Sequence, residues 1–172
     1  MQPATTETID VQEVYFKICA FIDKTLSSTK AGIAAFKKGA DGSLYNAFEN
    51  INESFKLLED AINHADVNTD DAKILKIGVN TDAQNWFVED LNRYEWEPKS
   101  QYDTAQLIEF YEKMINDHPL LEYIEDGFAD KDIQGYKKCI DKFTTELPQV
   151  QIGVNSLFES DIERIRLFTQ MV

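Results

Sequence analysis

From Val11 onward the sequence alternates between two kinds of apolar pattern. In the first kind, apolar residues recur at the spacing of one helix face. Ile51, Phe55, Leu58 and Ile62 form one such set, and Leu107, Tyr111, Met114 and Ile115 form another. A helix places residues three or four apart on the same side, so each set marks a helix with one buried face. Patterns of this kind fall near 11–27, 50–64, 103–117, 132–146 and 159–170, and Asp103 or Thr104 stands where the third would be capped. The second kind is a short apolar run: GIAAF (32–36), KILKIGV (73–79), LLEYI (120–124) and VQIGV (150–154). Runs of this length between helices suit parallel strands covered on at least one face. The order predicts a helix followed by repeated βα units, an α/β fold. GIAAF also reads as part of a helix.

The first ten residues, MQPATTETID, are polar and hold Pro3 and repeated threonines. They predict a flexible tail (1–10) ahead of one domain over 11–172, since no low-complexity tract or linker divides the remainder. The segment VEDLNRYEWEPKSQY (88–102) is long, charged and contains Pro98, and predicts an excursion between a strand and a helix. With 172 residues, 43% apolar and 12% aromatic, the chain has enough apolar surface to offset its conformational entropy around a real core. The formal charge of −14 repels polyanions, so neither nucleic acid nor an anionic membrane is an expected partner. Acids spread along the chain read as a solvated surface. No run approaches the roughly 20 apolar residues of a membrane span. The start lacks the basic and then apolar pattern of a signal peptide. Cys19 and Cys139 are far apart and lack metal-ligand spacing, which predicts reduced, buried thiols in a cytoplasmic protein.

In parallel α/β folds the chemistry sits at the carboxyl ends of the strands, where the chain opens into loops. Reading each run to its end gives Asp41 after the first, Asn80 and Asp82 after the second, Glu125 and Asp126 after the third, and Asn155 after the fourth. A ring of oxygens there would suit magnesium. Two of the central positions are amides, however, and a neutral amide brings no charge to offset a divalent ion. The chemistry predicts weak magnesium binding at most, and otherwise polar strand ends that cap helices or face water. His64 ends a helical pattern and His118 precedes Pro119. Neither stands at a strand end beside an acid, so both read as surface or capping residues rather than bases. The sequence holds no glycine-rich phosphate loop, no G-x-S-x-G elbow and no histidine pair at zinc spacing. Trp86, Phe87, Tyr94 and Trp96 gather around the excursion, either as ordinary packing or as an aromatic surface for a partner.

Several segments resemble the enolase family. IEDGFADKD (124–132) is similar to the signature IEDPF and its acidic sequel, and QIGVNSLFESDIERI (151–165) to QIVGDDL, a threonine-rich turn and RI. KILKIGVNTDAQNWF (73–87) resembles the strand reading IGMDVAASEF, and EVYFKICAFIDK (13–24) the helix that begins EVY. AFKKGADGSLYN (35–46) stands where enolases carry GDEGGFAPN. The resemblance implies a partial (β/α)8 enolase-type TIM barrel of about four βα units. The family dehydrates 2-phosphoglycerate to phosphoenolpyruvate. Three carboxylates hold magnesium, a lysine removes a proton and a glutamate protonates the departing hydroxyl.

Carried over by position, the metal ligands would be Asn80, Glu125 and Asn155, with Ser156 at the second aspartate of GDD and Asp41 as a shortened counterpart of the GDEGGF acid. The lysine would lie on the strand after the RI helix, and the chain ends at Val172 before it. The implied expectation is a degenerate magnesium site at Glu125, Asn80 and Asn155 and no catalytic residue. The chain would then not be an enzyme but a pseudoenzyme, an interaction or scaffold module of the lyase family. A half-barrel leaves strand edges and a sheet face uncovered, so a protein partner or self-association is expected. Two alternatives remain open: a fragment or subunit of an enolase with residual metal or substrate binding, or a module holding a different small ligand in the strand-end crevice.

Overall fold

The five helical patterns all form helices in the computed structural model, which describes residues 8–28, 37–38, 44–45, 50–65, 75–97 and 100–171. Helix α1 (Thr8–Ser27) begins inside the stretch read as a tail. Helices α2 (Ile51–His64), α3 (Thr104–Asp117), α4 (Ile133–Glu146) and α5 (Ile162–Met171) follow the expected spans closely. The starts of α2, α3 and α4 are set by short acceptors that satisfy otherwise orphaned backbone donors. Asn50 accepts from the Glu53 amide at 3.2 Å, and Asp132 from the Gly135 amide at 2.9 Å. Of the two candidates before α3, Asp103 is the cap. It accepts from the Gln106 amide at 2.9 Å, while the Gln106 side chain accepts from the Asp103 amide at 3.0 Å.

The chain divides into two compact units, residues 1–75 and 76–172. In the first, α1 and α2 pack together and bury Ile22, Leu26 and Ala61, with Ile18, Phe21 and Leu57 partly covered around them. Two short strands, β1 (Lys37–Lys38) and β2 (Leu44–Tyr45), pair antiparallel. The expected strand GIAAF and Asp41 lie outside the described residues.

The second unit opens with β3 (Ile77–Asn80), the carboxyl-terminal half of the KILKIGV run. The excursion after it is itself a sheet. Strands β4 (Phe87–Val88), β5 (Arg93–Glu97) and β6 (Ser100–Tyr102) form an antiparallel meander in that order. Charged and aromatic residues alternate along RYEWE (93–97), which lets Tyr94 face inward and become fully buried. After α3 come β7 (Leu121–Glu125), α4, β8 (Gln151–Gly153) and α5. Strands β3, β7 and β8 form one parallel sheet with β7 in the middle. A helix follows each of the three, so three βα units stand among the described residues, and there the sheet does not close into a barrel.

The core of this unit gathers Leu107, Tyr111 and Ile115 of α3, Leu121 and Ile124 of β7, and Tyr136, Cys139 and Phe143 of α4. Phe128, in the loop after β7, is its hub. Tyr94, Tyr111 and Tyr136 all meet it edge-on at centroid distances of 6.3, 6.0 and 5.2 Å. Such pairs add about 0.5–1.5 kcal/mol each beyond the area they bury. Cys19 and Cys139 are free thiols, and burial pushes the Cys139 thiol up to about 12. No described helix is long and apolar enough to cross a membrane.

Candidate site at the carboxyl ends of the parallel strands

The parallel register sets Asn80 of β3 beside Glu125 of β7, and Glu125 beside Gly153 of β8. Two sequence-predicted residues therefore meet. The Asn80 side-chain Nδ2 donates to Glu125 Oε1 at 2.8 Å. Tyr123, two residues earlier and so on the same face of the strand, donates its hydroxyl to Glu125 Oε2 at 2.6 Å. That bond raises the Tyr123 phenol above its ordinary value. The Asn80 carbonyl oxygen points the other way and accepts from the Asp82 amide at 2.9 Å. Gly153 makes room for this arrangement, because a Cβ there would collide with the Tyr123 hydroxyl and lie 2.6 Å from its Cζ.

Behind this surface lies a buried polar layer. Asp126 is only 4% exposed and holds a left-handed backbone, φ 52°. Its carboxylate accepts from the amides of Asn155 and Ser156 at 2.8 and 3.0 Å, while Thr81 donates to its carbonyl at 2.8 Å. One residue thus joins the ends of all three strands. The segment after it is held by phenols. Tyr111 donates to the Gly127 carbonyl at 2.9 Å and Tyr136 to the Phe128 carbonyl at 2.9 Å. Tyr94 accepts from the Ala129 amide at 3.1 Å and donates to Asp132 at 2.9 Å. Burial raises all three phenols far above their ordinary range, because a phenolate there would lose its hydration.

The remaining candidates have surroundings of their own. Asn155 is exposed and joins the cluster through its backbone amide. Asp82 is exposed and accepts from the Asn85 side chain at 2.5 Å. His64 ends α2, its ring 4.8 Å from that of Phe21, and His118 is a buried C-terminal cap of α3. Trp86 and Trp96 pack on each other at 4.3 Å, both partly buried.

Magnesium demands a near-octahedral shell of oxygens. Here Asn80 turns a nitrogen, not an oxygen, toward Glu125. Among the described residues no three histidine, cysteine, aspartate or glutamate side chains stand together as metal ligands. This donor set does not fit the ion. Tyr123 and Gly153 escaped the reading by sequence. The signal for Tyr123 was its two-residue offset from Glu125; for Gly153 there was none, because its role depends on a neighbouring strand.

The model of the enolase C-terminal TIM barrel domain matches residues 4–169 of this chain. The enolase of Aeropyrum pernix is 26% identical over 123 residues, which cover 72% of this chain. The matched stretch spans only 27% of that relative's length. These likenesses correct one expectation. The amides at Asn80 and Asn155, together with the want of a lysine base, led to the view that the chain is not an enzyme, whereas the match runs over nearly its whole length and points to a family of enzymes. Lost charge at two positions weakens the attraction for one ion; it does not decide what reaction a fold serves with groups drawn from other segments. The chain belongs to the enolase family and is part of its C-terminal TIM barrel domain.

Proposed function

We propose that this chain is a cytoplasmic barrel segment that works in association, adding its parallel sheet and strand-end crevice to strands supplied by a protein partner or a second copy. The observation that supports it is the open sheet. β3 and β8 are its outer strands, and among the described residues neither is paired on its far side. Such edges present rows of unsatisfied N–H and C=O groups, which another strand satisfies. Helix α5 also leaves Ile162 and Leu167 exposed, at 63% and 59%. Sedimentation of the dilute chain at low and high salt tests the reading. Association that survives high salt supports an apolar contact with paired edges, since salt screens only the charged part. A cooperatively melting monomer without dye-accessible apolar surface would overturn it.

A second reading assigns the assembled barrel the family's own reaction, the dehydration of 2-phosphoglycerate. The likeness across residues 4–169 favours it. In such an assembly Glu125 is the strand-end carboxylate, and the proton-removing lysine comes from another segment. A coupled assay on material purified from the native source tests it. Turnover that co-fractionates with the assembled form and falls about a hundredfold in Glu125→Gln supports it. Turnover indifferent to that change sinks it.

A further inference from the structure

A carboxylate at a strand end, facing the end of a parallel neighbour, is stabilised by a cation or a hydrogen-bond donor beside it. Both oxygens of Glu125 are supplied by neutral donors, Asn80 Nδ2 at 2.8 Å and the Tyr123 hydroxyl at 2.6 Å. We propose that Asn80 does here the structural work of a metal ion: its amide bridges β3 to Glu125 of β7, so the strand ends close in a metal-independent way. The amide is held in that sense at its other end, where Oδ1 accepts from the Asp82 amide and leaves Nδ2 facing Glu125. Tyr123 keeps its place because Gly153 has no side chain to displace it.

An aspartate at position 80 would set two carboxylates against each other, and a divalent cation between them would then be favourable. Asn80 is in this sense a positioning residue, and the inference holds for the chain by itself, whether or not it associates. It goes beyond the proposed function, and its failure leaves that reading intact.

The test is thermal unfolding of the whole chain in chelator and in magnesium chloride, against sodium chloride of equal ionic strength. The parent melts at the same temperature in both salts. Asn80→Asp melts about 5 °C lower in chelator, a shift expected for a perturbed hydrogen bond in a unit of this size, and magnesium restores part of the loss. The exchanged pair, Asn80→Asp with Glu125→Gln, decides between the bridge and mere packing. It keeps every bond, with donor and acceptor reversed across the bridge. The carboxylate introduced on β3 accepts from the Asp82 amide and from the new glutamine on β7, whose oxygen accepts from Tyr123. The pair melts within about 2 °C of the parent and ignores magnesium. Should Asn80→Asp not fold, the exchanged pair carries the test alone, since it must still fold at near-parent stability. A parent stabilised by magnesium beyond the salt control overturns the proposal. So does an Asn80→Asp chain as stable as the parent in chelator, or an exchanged pair no better than the single change.

Discussion

The loops after β7 and after β8 hold the same topological position, each leading from a parallel strand to a helix, yet they are built differently. Residues 126–129 are all buried, and three phenols and one carboxylate hold the loop through hydrogen bonds. Residues 155–161 lie largely at the surface. Glu159 and Ser160 there adopt left-handed backbone, φ 43° and 60°, and Arg164 pairs with Glu159 at 2.8 Å in the open. The first loop is fixed by groups that have no water to turn to, so every bond lost there leaves something unsatisfied. The second is shaped by a turn and by ions that water can replace. The difference assigns the rigid wall of the strand-end crevice to β7. The β8 side is held to it mainly through Asp126.

Removing the hub of the rigid loop should have the largest effect. Phe128→Ala deletes the ring that three tyrosines meet and should cost about 3–5 kcal/mol in urea unfolding. A cost below about 1 kcal/mol would mean that the loop does not depend on its buried side.

High pH attacks the same loop through its phenols. Tyr94, Tyr111 and Tyr136 have folded pKa values raised by burial above the ordinary value of 10.0. A raised folded pKa means that the folded state keeps protons the unfolded chain has already released. The stability these groups contribute is therefore complete below about pH 10 and is lost as pH rises above it. Each phenol should take away about 1 kcal/mol between roughly pH 10 and 11 and up to about 1.4 kcal/mol per pH unit beyond that, and Tyr111→Phe should remove one share of that slope. An unchanged slope in that variant would place the alkaline transition elsewhere.

Asp126→Ala sharpens the comparison most directly. It leaves the amides of Asn155 and Ser156 without their acceptor and should cost about 2–3 kcal/mol. Hydrogen exchange should quicken at those two amides ahead of the residues of α4. Equal quickening throughout the unit would mean that Asp126 supports the fold generally rather than joining the loops.

At the small end, Arg164→Ala removes pairs with Glu159 and Asp161 whose side chains are about half exposed or more. The expected cost is about 0–1 kcal/mol and should shrink further in salt. A larger loss would show the β8 loop to be more dependent on charge than its exposure implies.

The helices were legible because a helix writes its buried face into the chain locally, as Leu107, Tyr111, Met114 and Ile115 do for α3. The runs ending at Val79, Ile124 and Val154 were legible as strands for a similar reason: apolar stretches too short for helices between helical patterns. The meander over 87–102 was not. Its strands are two to five residues long, and RYEWE carries more charges than aromatic rings, so its alternation is easily taken for a polar loop. Likewise Asp126 was legible as a strand-end acid, but only packing turned its carboxylate away from water.

By itself the sequence determined the helix faces, the βα order, the likeness to the enolase family and the identity of the residues at the strand ends, because each is written in neighbouring letters. The tertiary structure alone decided which of those residues meet. Asn80 reaches Glu125 across 45 positions of chain because a parallel register aligns two strand ends. Asn155, carried over from the same family pattern, meets Asp126 through its backbone instead. Hydrogen bonds form within about 3 Å, and distances of that order between remote residues are set by how the strands and helices stack, which no local pattern encodes.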